Sequence, residues 1–245
     1  MELRNRSILI TGGTSGIGKA LVDQLSKMNT EIIVIGRNLV KLKYLEQKYT
    51  NVTTYQCSLS DRGDVEKTIG EITNRYPALS VVINNAGVQY APTFLDNDFE
   101  FDSIENEITT NLTAPIWICA LTLGHLLGAE QPTAVINITS GLALFPKKGS
   151  AVYCATKAGL RNFTKSFRYQ LEDTSVRVFE AIMPMVDTPM TEGRGKGKIS
   201  AINAASAIIK GIEQDTAEIF VGKTKLMPVM ARVSPSLMEL IMKVG

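Results

Sequence analysis

Tyr153 and Lys157 lie four residues apart in the run Tyr153-Cys154-Ala155-Thr156-Lys157. On a helix that spacing stacks the two side chains on one face. An ammonium beside a phenol favours the phenolate and lowers a hydroxyl that ordinarily titrates at about 10. A phenol tuned in this way exchanges protons with a substrate near neutral pH. The same pair also describes a packed ring beside a solvated amine, so the chemistry depends on what else the chain brings to it.

A second feature supplies a reaction partner. Ser7-Ile8-Leu9-Ile10-Thr11 reads as a strand and runs into Gly12-Gly13-Thr14-Ser15-Gly16-Ile17-Gly18, after which a helical pattern begins. Glycines allow the tight turn and let a pyrophosphate approach the backbone, and the helix start presents free N–H groups to it. The spacing departs from the commoner G-x-G-x-x-G but keeps the strand–turn–helix context. NAD sites usually place an acid roughly 20 residues on, at the end of the second strand. Here the strand ends Ile35-Gly36-Arg37-Asn38, with no acid. Arg37 is placed to pair with a 2′-phosphate, and Thr14 and Ser15 add hydroxyl donors. The residues favour NADP(H) and leave NAD(H) possible. The plainer reading of Arg37 is a solvated cation at a helix start.

Several elements must position these groups. Short runs rich in Ile and Val at 7–11, 31–35, 52–56, 81–84, 134–139, 176–182 and 218–221 read as strands covered on both faces. Helical patterns at 17–27, 39–48, 64–75, 104–127, 152–172 and 201–214 separate them. This alternation predicts an α/β fold: one Rossmann-type, doubly wound parallel sheet of about seven strands with helices on both faces. No linker, composition break or internal repeat divides the 245 residues, so one domain is expected.

Composition narrows the function. The net charge is +2 with both signs dispersed, which is no nucleic-acid footprint. Cys57, Cys119 and Cys154 have no metal-ligand spacing, and free thiols suit a reducing cytoplasm. No metal site is expected. The start of the chain lacks the apolar segment of a signal peptide, and no run of 18 apolar residues suggests a membrane span. His125, the single histidine, has no carboxylate or Cys partner at ligand spacing and reads as a core or helix-end residue.

Further segments, in order, make the chain resemble the short-chain dehydrogenase/reductase family. Asn84-Asn85-Ala86-Gly87 closes the fourth strand, Asn111 follows on the long helix, and Ser140 lies thirteen residues before Tyr153. Pro184-Met185-Val186-Asp187-Thr188 follows the sixth strand. The glycine loop, the Gly36-Arg37-Asn38 turn and Ile83-Asn84-Asn85-Ala86-Gly87-Val88-Gln89 look most like the bacterial DltE-type oxidoreductases. The resemblance implies hydride transfer between nicotinamide and a carbonyl or alcohol. Tyr153 would be the acid/base, Ser140 a donor to the carbonyl oxygen, Lys157 a ligand of the nicotinamide ribose, and Asn111 the holder of a water linking Lys157 to solvent. It also implies cofactor contacts from Gly12, Gly16, Ile17, Gly18, Asn38, Leu59, Asn85, Ala86, Gly87, Pro184, Val186 and Thr188.

There are departures. Ser58 stands where the family has an Asp near the adenine, and is expected to keep a polar contact there. Asp61 is expected to cap the next helix. Met185 replaces a Gly and is expected to narrow the nicotinamide end. Substrate contacts are expected from loops 89–95, 141–148 and 189–199. The last carries Arg194, Lys196 and Lys198, which read either as a lid drawing in an anion or as solvated charges. The apolar segment 225–244 reads as an interface, a lid or a weak surface anchor. The resemblance implies a homodimer or homotetramer through helices 104–127 and 152–172. A different class of function, a non-catalytic NADP(H) sensor or scaffold, remains compatible with the fold.

Overall fold

The computed structural model describes residues 1–90, 94, 95, 97, 99–234, 236, 238 and 242. Leu237, Leu240 and Ile241 of the apolar C-terminal segment, and residues 91–93 of the 89–95 loop, lie outside the described residues. The order is β1 (Ser7–Thr11), α1 (Gly16–Leu25), β2 (Glu31–Gly36), α2 (Leu39–Lys48), β3 (Val52–Gln56), α3 (Arg62–Arg75) and β4 (Leu79–Asn84). Then come α4 (Phe101–Ile108), a π-helical turn (Thr109–Thr113), α5 (Ala114–Leu127), β5 (Thr133–Ser140), α6 (Ala151–Gln170) and β6 (Val176–Met183). The chain continues with β7 (Val186–Asp187), β8 (Ile199–Ser200), α7 (Ala201–Glu213), β9 (Glu218–Phe220) and α8 (Met227–Val233).

Seven strands pair in the order β3-β2-β1-β4-β5-β6-β9, all parallel, and β7 and β8 form a separate short ribbon. The expected fold class is the observed one. The strand residues divide by pleat, because successive side chains point to opposite faces. Ile8, Ile10, Ile32, Val34, Val81 and Ile83 meet α1, α2 and α7 on one face. Leu9, Ile33, Ile35, Val82 and Val135 meet α3, α5 and α6 on the other. Two apolar layers therefore grip the sheet and fix the carboxyl ends of its strands, where the loops that carry chemistry emerge.

The stretch expected as one helix over 104–127 starts at Phe101 and widens in the middle. Pro115 has no N–H for the carbonyl four residues earlier, which belongs to Asn111, and its ring crowds that carbonyl. Widening to a π turn relieves the crowding. By length and composition alone, Phe101–Leu127 is apolar enough to cross a bilayer. Its Ala114, Pro115, Ile118, Cys119, Thr122 and Leu126 are instead buried in the protein, as in a core helix.

Candidate active site

A cavity of about 660 Å³ runs along the carboxyl ends of the strands. Its floor at one end is the turn after β1. Gly12 has φ +68°, and a Cβ there would come within 2.9 Å of the Ala86 Cα. Only glycine holds that left-handed turn against the neighbouring chain without strain. Asn85 staples the two segments together: its Nδ2 donates to the Thr11 carbonyl at 2.9 Å. Ser15 caps α1 but makes no side-chain capping bond. Its hydroxyl and the first N–H groups of α1 are left for an anion at the positive end of the helix dipole.

Gly12, Thr14, Ser15, Gly16, Ile17, Arg37, Asn38, Leu59, Asn85, Ala86 and Gly87 all line the cavity. So do Ser140, Tyr153, Lys157, Pro184, Val186 and Thr188. Three expected site residues do not. Gly18 lies beneath the turn, where a Cβ would fall 2.3 Å from the Gly12 carbonyl oxygen, so its part is close packing of helix on loop. Ser58 is drawn into the start of α3: its N–H donates to Asp64 Oδ2 at 2.7 Å and its hydroxyl pairs with Ser60. Cys57, Leu59 and Ser60 line the cavity in its place. Asp61 caps α3, accepting from the Asp64 N–H at 3.0 Å.

Asn111 is the third. Its side chain is buried and grips the Val88 peptide from both sides, Oδ1 accepting the N–H and Nδ2 donating to the carbonyl, each at 2.8 Å. The amide is thus committed to the loop after β4. The Asn111 backbone carbonyl, four residues before Pro115, has no α-helical donor.

Tyr153 and Lys157 face the cavity from α6, and Ser140 faces it from the end of β5. The Ser140 oxygen accepts the Leu142 N–H at 3.1 Å, and its hydroxyl lies within hydrogen-bonding reach of the Tyr153 phenol. Lys157 is 4% exposed, and its Nζ donates to the Ile138 carbonyl at 2.9 Å. That Nζ sits 5.8 Å from the centre of the Tyr153 ring.

The electrostatics correct one expectation. Lys157 was expected to lower Tyr153; instead, burial pushes the phenol up to about 12, with the Ser140 hydroxyl and Arg194 pulling the other way and Glu107 adding to the rise. Burial likewise brings Lys157 down to about 8, opposed by Glu107. An ammonium that is itself reluctant to charge is a weak stabiliser of a neighbouring phenolate.

Sequence reasoning missed Glu107. It is 3% exposed, one helical turn before Asn111, and accepts the Tyr90 N–H at 3.3 Å. Burial raises its carboxyl to about 7. The readable signal was the spacing of four residues that puts Glu107 on the same helix face as Asn111. Also missed were Lys41 beside Arg37, and Lys147, Lys223 and Met227 at the other end of the cavity.

The sequence profile of the short chain dehydrogenase family matches residues 6–198. The chain is a short-chain dehydrogenase/reductase. An uncharacterized oxidoreductase, DltE of Bacillus subtilis (strain 168), is 40% identical over 193 residues, which cover 78% of this chain and 76% of that protein. A short chain dehydrogenase from Burkholderia cenocepacia J2315, in complex with NADP, superposes with a TM-score of 0.88 at 19% identity and covers 99% of both chains. A family member from Burkholderia phymatum, in complex with NAD, superposes with a TM-score of 0.84 at 15% identity over 95% of this chain and 94% of the other. This short-chain dehydrogenase/reductase is therefore an oxidoreductase with the Rossmann fold of its family.

Proposed function

We propose that the protein is an NADP(H)-preferring reductase that moves hydride between nicotinamide and a small carbonyl or alcohol, with Tyr153 as the acid/base. The observation that carries this reading is the convergence of Ser140, Tyr153, Lys157 and the glycine turn on one cavity. The cavity fits the cofactor on its own evidence: a helix start with uncommitted donors at the phosphate end, and Arg37 and Lys41 beyond it. No Asp or Glu lines the cavity among the described residues. A 2′-phosphate meets two cations there and no repulsion, whereas a bare ribose lacks the acid that would hold it. Both structural relatives, one with NADP and one with NAD, agree with a nicotinamide dinucleotide.

Bound nicotinamide supplies the hydride. The protein's part is orientation and proton movement. Thr14, Ser15 and the first turn of α1 hold the diphosphate, while Pro184, Val186 and Thr188 wall the nicotinamide end. The Ser140 hydroxyl donates to the substrate oxygen as charge grows on it. Tyr153, pushed up to about 12, keeps its proton at neutral pH and delivers it to that oxygen during reduction. Lys157 has N–H groups left over from its bond to Ile138 for a ribose hydroxyl and for a water at the Asn111 carbonyl. That chain returns a proton to Tyr153.

We also propose that the chain is one catalytic domain, that it works in the cytoplasm, and that it forms a homodimer or homotetramer. The long helices expose the apolar side chains of Ile108, Leu121, Leu127 and Tyr169, which a second copy could cover. NADPH and NADH titrations test the cofactor assignment, with Arg37→Ala and Lys41→Ala beside the parent. NADPH should bind at least about tenfold tighter, with either substitution eroding the difference. Equal affinities in the parent would remove the case for NADP(H). A panel of ketones, aldehydes and alcohols tests turnover.

A further inference from the structure

The substrate end of the cavity has an unusual wall. Of the nine methionines in the chain, five line it: Met183, Met185, Met190, Met227 and Met242. Methionine is unbranched and polarisable and re-packs around apolar chains of varied shape. Met227 lies directly over the turn after Ser140, since a Cβ at Gly141 would come within 2.7 Å of its terminal methyl. Met185 packs under the 189–199 loop, where a Cβ at Gly195 would come within 2.3 Å of its sulfur.

Two cations share that end, Lys147 and Lys223, and neither has an ion-pair partner among the described residues. Lys147 is half-buried, and its N–H donates to the Cys154 sulfur at 3.3 Å, which ties its backbone to the residue after Tyr153. The loop cations expected to attract an anion are committed or displaced. Arg194 donates to the Met190 carbonyl, Lys198 donates to the Thr191 carbonyl at 2.5 Å, and Lys196 is exposed and does not line the cavity. An ammonium without an ion-pair partner beside an apolar wall is completed by a ligand that brings both an alkyl chain and a negative charge.

We infer that the substrate is an amphipathic anion: a carbonyl compound whose apolar chain lies on the methionines and whose anionic group pairs with Lys147, with Lys223 at the mouth. The inference rests on the reductase reading for the carbonyl, and on Lys147 and the methionines for the rest.

The test separates the two. Octanoate and octanamide are titrated calorimetrically into the NADP⁺-loaded protein. Octanoate should bind at least about tenfold tighter. Lys147→Gln should erase that preference and Lys147→Arg should restore it, with unfolding curves confirming that both variants fold. Equal affinity in the parent, or a preference that survives Lys147→Gln, overturns the inference. So does a loss of NADPH affinity in Lys147→Gln matching the loss of octanoate affinity, because the lysine would then belong to the cofactor. In parallel, straight-chain keto acids and their methyl esters are offered with NADPH. The inference expects the acids to have the higher kcat/KM, with the ratio collapsing in Lys147→Gln. If no keto compound turns over while the octanoate pattern holds, the reductase reading fails and the anion site stands. If esters turn over as well as acids, the anion site fails and the reductase stands.

Discussion

Glu107→Gln should make the protein more stable at neutral pH, and by an amount that depends on pH. Glu107 is buried, and its carboxyl rises from an ordinary 4.5 to about 7 in the fold. Between those values the folded chain keeps a proton that the unfolded chain has released. The folded state binds more protons, so stability falls as pH rises through this window. At about 1.4 kcal/mol per pH unit, the full cost of the charged form above pH 7 is about 3 kcal/mol. Glutamine keeps the volume and an oxygen to accept the Tyr90 N–H, but it never ionises. Urea unfolding at a series of pH values should show the variant and parent equally stable near pH 4 and the variant ahead by about 3 kcal/mol at pH 8. A difference that stays constant across the series would refute the reasoning, because the burial of a charge would then not be what Glu107 contributes.

Gly18→Ala places a methyl 2.3 Å from the Gly12 carbonyl and 2.5 Å from the Asn85 amide nitrogen, so the glycine turn must shift. Its expected cost is about 2 kcal/mol in urea unfolding and at least about a tenfold loss in NADPH affinity by calorimetry. Pro115→Ala gives the helix an N–H that reaches the Asn111 carbonyl and competes with the proposed water. We expect normal circular dichroism and a kcat at least about tenfold lower with KM little changed, read from NADPH consumption. Arg161→Leu removes the partner of Glu180, a buried carboxylate held at 2.5 Å by Arg161 and at 2.5 Å by the Thr139 hydroxyl. The stranded charge should cost about 3–5 kcal/mol in denaturant unfolding.

The sheet was readable because a strand covered on both faces writes itself as an unbroken apolar run. Ile32-Ile33-Val34-Ile35 and Val81-Val82-Ile83 show this, each alternating between the two cores. The glycine turn and the Ser140, Tyr153 and Lys157 set were readable because their spacing is local to a turn or helix, or reinforced by family order. What escaped depends on three dimensions. The sign of the Tyr153 shift is set by how much protein surrounds the ring, which no spacing encodes. Ser58 matches the family's adenine position in sequence, but the start of α3 engages it through Asp64 and Ser60. The π turn was visible in principle, since Pro115 sits inside the helical pattern four residues after Asn111. Lys147 and Lys223 are 76 residues apart in sequence, and only the side-by-side pairing of β5, β6 and β9 brings the loops after β5 and β9 to one cavity. Of the apolar C-terminal segment, Met227 and Met242 line the cavity.

The claim that Tyr153 moves the proton is tested most directly by Tyr153→Phe, measured for NADPH binding and for NADPH consumption on any carbonyl the parent reduces. Phenylalanine keeps the ring and removes only the hydroxyl. NADPH affinity should be unchanged and turnover lowered by at least about a hundredfold. Turnover that persists at the parent's rate while NADPH still binds would contradict it.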